Sequence, residues 1–235
     1  MKTIYFDCEN GISGDMAYEA LKSLLDEKGT AALAEMEKLL ALAGHHGQDY
    51  GHGQGHSHSH SHSHSSYSSI KNLIGNLDVS EGAKEKALSI YSVIAEAEAF
   101  VHGTSVESVH FHEVGRIEAV RNVTGVAVCV DALGAGRVFC SEIRDGKGFV
   151  ECSHGKIPVP VPAVMAMRGK SSLVFAADES IATEMVTPTG LAVLMGLGAE
   201  YSREIPQGEV LKKATAMGKR EIGRAGGLTA YLVDI

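Results

Sequence analysis

Hydrophobic positions along the chain follow two rhythms, and their punctuation predicts most elements. Segment 3–6, T-I-Y-F, is β-branched and aromatic enough for a short strand. Gly11 breaks it, and Ser13 is a good N-cap for a helix to about Lys28, with Ala17, Ala20, Leu21, Leu24 and Leu25 on one face. Gly29 is expected to end that helix. Thr30 then caps a second one, striped by Leu33, Met36, Leu39, Leu40 and Ala43 and closed by Gly44. Further on, 69–77 reads as a short helix. Ser80 caps a long one, 81–101, with Ala87, Ile90, Tyr91, Ile94 and Ala97 aligned and Gly103 as its stop. Another helix covers 117–133. Segments 137–143 and 148–152 read as strands joined by an Asp145-Gly146 hairpin turn. Pro158, Pro160 and Pro162 stiffen the chain before a helix to about Arg168. Segments 172–175 and 183–186 are strand candidates, a helix is expected over 189–197 behind Pro188, and 211–216 pairs with 228–233 as the last strands. The sum is an α/β or α+β fold: a mixed sheet packed by helices.

One stretch fits neither rhythm. Residues 44–66 hold His45, His46, His52, His56, His58, His60, His62 and His64, eight of the twelve histidines, among Gly, Ser and Gln. So little apolar surface cannot offset the entropy of ordering, and a mobile loop is expected. Its imidazoles suit Zn, Ni and Cu. The expectation is one domain over residues 1–235, interrupted by this loop.

Composition narrows the function. The chain has 235 residues, 44% of them hydrophobic, with no Trp, so aliphatic side chains must build the core. A formal net charge of -8 argues against nucleic acid as a partner. No apolar run reaches the ~18 residues of a membrane span. Asp7 interrupts any signal-like N-terminal run. The four cysteines lack paired spacing and are expected to be reduced thiols, with Cys8, Cys129 and Cys140 in the core. A cytoplasmic protein is expected.

Four stretches carry candidate chemistry. In D-C-E-N-G-I-S-G-D-M (7–16), Asp7 ends a strand while Ser13, Gly14 and Asp15 open a helix whose N–H groups favour an anion, with a divalent cation between it and the carboxylates. The same turn also reads as a plain connection with Asp15 on the helix dipole. In V-H-F-H-E-V-G (109–115), an extended backbone puts His110 and His112 on one side and Glu113 on the other, a metal or acid–base arrangement; a capping or core role stays open. In C-S-H-G-K-I-P-V-P-V-P (152–162), Cys152 and His154 would share a strand face as nickel or zinc ligands, or be a small apolar residue and a loop residue. In M-V-T-P-T-G (185–190), Thr187, Thr189 and Gly190 form an anion-binding turn or an ordinary cap.

Together, in this order around a His-rich segment, these stretches resemble the LarC family of nickel insertion proteins. The matching segments are 7–16, A-E-A-F-V-H-G at 97–103, H-F-H-E-V-G at 110–115, H-G-K-I-P-V-P-V-P at 154–162 and V-T-P-T-G at 186–190. Glu118 and Asn122 stand where the family carries aspartates, and 216–221 keep little of its G-x-G-x-G segment with a charged pair. The resemblance implies a nickel chelatase that inserts Ni(II) into pyridinium-3,5-bisthiocarboxylic acid mononucleotide, forming a carbon–nickel bond. It also implies dependence on CTP with Mg or Mn, and the family's CTP-binding C-terminal domain is expected to be absent from this chain: either it is a separate polypeptide, or this is the N-terminal part, or the protein is a divergent paralogue. A homo-oligomer is expected. The catalytic candidates are Asp7, Asp15, His110, His112 and Glu113, and a His or Glu of 110–113 would take the ring proton. The cofactor-binding candidates are Ser13, Gly14, Thr187, Thr189 and Gly190. The metal candidates are His110, His112, Cys152 and His154, with His56, His58, His60, His62 and His64 as a collector. The alternatives are a non-catalytic nickel-binding or storage protein, and a Mg-dependent phosphate-handling enzyme using Asp7, Asp15 and His154.

Overall fold

The computed structural model describes residues 1–46, 65–152, 155–223 and 226–235, with the backbone alone for 43–46. The His-rich residues 47–64, and His154, lie outside the described residues. In chain order the elements begin β1 (Lys2–Asp7), α1 (Gly14–Lys22), α2 (Glu27–His46), β2 (Ser65–Ser66), α3 (Tyr67–Gly75) and α4 (Glu81–His102). Next come β3 (His110–Phe111), α5 (Ile117–Leu133), β4 (Arg137–Cys140), β5 (Ile143–Asp145), β6 (Gly148–Cys152) and β7 (Gly155–Val159). The last are α6 (Pro162–Arg168), β8 (Phe175–Ala177), α7 (Pro188–Gly196), β9 (Glu200–Tyr201), β10 (Glu209–Ala216) and β11 (Leu228–Asp234).

The main sheet is mixed, in the order β10-β11-β1-β4-β9. Its centre, β1, buries Thr3, Ile4, Tyr5 and Phe6 in succession, as a strand covered on both faces must. It pairs antiparallel with β11 and parallel with β4. The expected pairing of the last two strands is found, β10 with β11. α1 lies against β10 and β11 and also packs on α5 and α7. α5 is the pivot of the helical layer, enclosed by α1, α2, α4 and α7 and buried from Asn122 through Val130. Gly125 allows its close approach to α1: a Cβ there would stand 2.3 Å from the Tyr18 ring.

Several expectations fail, each for an identifiable structural reason. The first helix stops at Lys22, and Asp26 starts the second by accepting the Gly29 N–H at 2.8 Å. Gly29 is therefore inside a first turn, where a Cβ would come 3.3 Å from Ala132 on α5. α2 runs past Gly44 to His46, and β2 begins at Ser65, so ordered backbone enters both ends of the expected loop. Asp145-Gly146 is no hairpin turn. β4 and β5 are separate strands, β5 pairs parallel with β8, and β6 pairs instead with β7, Cys152 opposite Gly155. The 183–186 strand reduces to one bridge, Ile12 to Val186.

Candidate functional site

The site begins where two loops are joined. The Ile12 N–H donates to the Met185 carbonyl (2.9 Å), and the Thr187 N–H donates to the Ile12 carbonyl (3.0 Å). Gly11 sits at φ 79°, and a Cβ on it would meet the Met185 carbonyl oxygen at 2.1 Å, so only glycine fits. Asp145 fixes the second loop from below: its Oδ1 accepts the N–H groups of Gly146 (2.9 Å), Met185 (2.9 Å) and Val186 (3.1 Å). Burial outweighs those hydrogen bonds and raises its pKa above the ordinary carboxylate value.

This joint sets the N-termini of α1 and α7 side by side. Ser13 caps α1 by accepting the Met16 N–H (3.4 Å) and donates to Asp15 Oδ1 (2.5 Å). Thr187 caps α7 by accepting the Gly190 N–H (3.1 Å). A Cβ on Gly14 would stand 2.9 Å from the Thr189 hydroxyl, and one on Gly190 would stand 2.3 Å from the Ile12 carbonyl oxygen. The cofactor-binding candidates are thus neighbours across the joint, doing the capping foreseen as their plainer role, and the first-turn N–H groups of both helices, which have no partner within their own helix, lie at one place.

Above the joint opens a cleft of about 980 Å³. Ser13, Asp15, His112, Glu113, Cys152, Thr187 and Thr189 all line it, brought together from four stretches of sequence. Asp7 and His110 are not among the lining residues. Asp7 instead closes a turn by accepting the Glu9 N–H (3.1 Å). The histidine pair separates because the strand ends early. β3 holds only His110 and Phe111, with His110 exposed and opposite Ser66 of β2. Phe111 is buried between Tyr67 and Tyr91, whose ring centres lie 6.1 and 6.2 Å away. The chain then bends, leaving the alternation of a strand. A Cβ on Gly115 would come 2.7 Å from that of Phe111, so the bend is too tight for a side chain there. His112 thereby turns into the cleft.

There it meets a residue the sequence reading passed over. His102, at the end of α4, has its ring centre 6.0 Å from that of His112 and its Nε2 3.4 Å from a Glu98 oxygen. Cys152 is a half-buried thiol on the same cleft, donating to the Gly155 carbonyl (3.6 Å), whereas Cys8, Cys129 and Cys140 are buried, and burial pushes the Cys129 and Cys140 thiols up to about 12. Among the described residues no group of three or more His, Cys, Asp or Glu is arranged to hold a metal.

The opposite rim is segment 217–223, which carries two cations inward. Lys219 bonds Glu118 (2.7 Å) and lies 3.6 Å from Asp15, and this hydrogen bond holds the Glu118 carboxyl below its ordinary value. Arg220 Nη2 lies 3.0 Å from Oε2 of Glu184, which is only 7% exposed. Burial raises Glu184 to about 7, Arg220 opposes the shift, and Asp145 and Glu113 add to it. None of these three was singled out from sequence. The signal for Lys219 and Arg220 was the family's charged pair, and for Glu184 its place just before the V-T-P-T-G turn.

Comparisons with known proteins agree on one family. The family described as Nickel insertion protein matches residues 4–234. The pyridinium-3,5-bisthiocarboxylic acid mononucleotide nickel insertion protein of Acetivibrio thermocellus is 34% identical, the alignment covering 99% of this chain and 60% of that protein. Its counterpart from Lactiplantibacillus plantarum is 33% identical, covering 100% and 62%. That from Clostridium kluyveri is 34% identical, covering 99% and 62%. The chain thus spans about 60% of the length of these relatives. No solved structure matches it.

Proposed function

We propose a function from one premise: the chain belongs to the nickel insertion protein family. It contributes the nucleotide- and nickel-handling cleft for inserting Ni(II) into pyridinium-3,5-bisthiocarboxylic acid mononucleotide. Nickel here is substrate, captured and given up, so a permanent cage of ligands is not required. The observation that carries this reading is convergence: segments far apart in sequence, those that carry the family resemblance, line a single cleft of about 980 Å³. Small-molecule pockets run from roughly 300 to 1,000 Å³.

The substrate has a phosphate, a flat cationic ring and two sulfur-bearing arms, and the cleft has a region suited to each. The paired N-termini of α1 and α7, with Ser13, Gly14, Thr187, Thr189 and Gly190, suit a phosphate, and Lys219 adds positive charge beside them. Val150, Ile157, Val161 and Met217 give an apolar wall for the ring. His112, His102 and Cys152 are borderline and soft donors that suit nickel and thiocarboxylate sulfur. In this assignment Asp15 would hold a divalent cation beside that phosphate, Asp7 shapes the turn beneath it, and His110 stands outside the cleft facing β2. The His-rich residues, His56 to His64 among them, act as a collector. CTP binding belongs to a further domain or partner polypeptide, and the protein works in the cytoplasm as a homo-oligomer.

The test incubates the chain, with and without a CTP-binding partner domain, with the dithiocarboxylate nucleotide, Ni(II) and Mn–CTP, following the absorbance of the nickel-bound product. Product is expected with the partner present. No product, while a control insertase works under the same conditions, sinks the reading. A storage protein would instead bind nickel in proportion to its loop and lose all binding when 45–64 are deleted. A Mg-dependent phosphate enzyme would turn over nucleotide without nickel.

A further inference from the structure

The nickel-insertion reading leaves one proton without an acceptor. The two sulfur-bearing arms of the substrate occupy ring positions 3 and 5, so a nickel ion held by both sulfurs is pressed against the carbon at position 4. Completing a three-point grip on the metal displaces the hydrogen there. The C–H bond breaks, its electron pair becomes the nickel–carbon bond, and the hydrogen leaves as a proton. Nickel stays Ni(II), and no oxidant or reductant enters. What the step needs is a base held away from bulk water but open to the ring.

Several side chains of the cleft are poorly placed for it. Asp15 already takes the Ser13 hydroxyl and lies beside Lys219, and Glu118 is engaged by the same lysine. Glu98 sits 3.4 Å from His102, and Glu113 is exposed. Among the described residues Glu184 is the one carboxylate that both lines the cleft and is buried. Arg220 engages its Oε2 at 3.0 Å, and no hydrogen bond among the described residues engages Oε1.

We propose that Glu184 is the catalytic base of nickel insertion, its Oε1 taking the proton released from ring position 4 while Arg220 orients the carboxylate through Oε2. The assignment rests on the nickel-insertion reading. It places acid–base chemistry on a residue outside the H-F-H-E-V-G stretch, and leaves His112 and His102 to the metal. A carboxylate at about 7 suits the work, because it is ionised in a useful fraction at neutral pH yet basic enough to accept a proton. The charges facing it are Arg220 from segment 217–223, Asp145 from β5 and Glu113 from the bend after β3. The form that works is the carboxylate, so insertion should fall as pH drops through about 7. Removing the Arg220 cation raises the carboxyl further and moves that acid limb to higher pH.

Single-turnover insertion with Mn–CTP and the CTP-binding partner, using nucleotide with hydrogen or deuterium at position 4, tests this. Glu184→Gln is expected to slow the nickel–carbon step by at least about 100-fold while nucleotide binding, followed by fluorescence, is unchanged. Arg220→Gln is expected to retain insertion at high pH with its acid limb displaced upward. Wild-type product formed with Glu184→Gln unimpaired overturns the assignment alone. No product from the wild type beside a working control overturns the insertion reading and the assignment with it. Should Glu184→Gln not fold by circular dichroism, Arg220→Gln decides: an acid limb that stays in place refutes Glu184 as the base.

Discussion

The floor of the cleft depends on one oxygen atom, and replacing Asp145 in two ways isolates its contribution. Oδ1 accepts three backbone N–H groups, from Gly146, Met185 and Val186, while Oδ2 has no hydrogen-bond partner among the described residues. Asp145→Ala strands all three donors. A buried donor left unsatisfied costs about 1–3 kcal/mol, so even with one rescued by water the loss is about 2–6 kcal/mol. That is a large share of the roughly 5–15 kcal/mol that holds a domain together. Asp145→Asn keeps a carbonyl oxygen in the Oδ1 position and exchanges one unsatisfied atom for another at Oδ2. It also removes a buried charge, so its cost should stay below about 1 kcal/mol at neutral pH.

The pH dependence has a defined sign. The folded protein holds Asp145 above its ordinary value, with burial as the main cause. Its contribution to stability is fully present below the unfolded value and is lost as pH rises through the folded one. The wild type should therefore lose stability relative to Asp145→Asn across that window. Urea unfolding of the three proteins from acid to neutral pH measures this. If Asn proves as damaging as Ala at neutral pH, the negative charge rather than the acceptor oxygen holds the loop, and the reasoning fails. The loop also positions Ile12 and Thr187, so Asp145→Ala should weaken nucleotide binding far more than Asp145→Asn.

Two further outcomes follow from packing and placement. Gly125→Ala gains about 1 kcal/mol of helix propensity but drives a Cβ to 2.3 Å from the Tyr18 ring, and overpacking of that kind costs about 1–3 kcal/mol. A net loss in urea unfolding is expected, and in a Tyr18→Ala background the same change should instead stabilise. His112→Ala, inside the cleft, should slow nickel insertion about 100-fold, whereas His110→Ala should leave its rate unchanged. Equal effects of the two in the single-turnover assay would show that the bend after Phe111 does not separate them.

How much of this was legible follows from how far each determinant reaches along the chain. Short-range signals served well. Ser80 caps α4 and Gly103, at φ 61°, ends it, while Thr187 caps α7 behind Pro188, as their residue types predict. Signals that depend on a remote neighbour misled. Gly29 reads as a helix stop, yet it is small because α5 passes close to it. Asp145-Gly146 reads as a turn, yet the aspartate answers N–H groups about forty positions away, a partner that local pattern cannot supply. The H-F-H spacing promised two imidazoles on one face, but the burial of Phe111 and the bend behind it leave only the second in the cleft.

The charges on segment 217–223 are the extreme case, and they alter the meaning of a sequence difference. In the sequence, Glu118 stands where the family carries an aspartate, and 216–221 keep little of the family's glycine-rich segment. In the fold the two differences meet. Glu118 reaches Lys219 across 101 positions of sequence, and the same ammonium stands by Asp15, tying α5, α1 and the 217–223 rim at one point. Next to it Arg220 engages Glu184. An exposed ion pair contributes little to stability, typically under about 1 kcal/mol, so holding the fold is a poor explanation for Lys219. Its place beside the paired helix N-termini is a better one: an anion arriving there would compete with two carboxylates for a cation already in position. Sequence could show a lysine followed by an arginine, but not that the first lies beside Asp15 at the N-terminus of α1 and the second pairs with the buried Glu184.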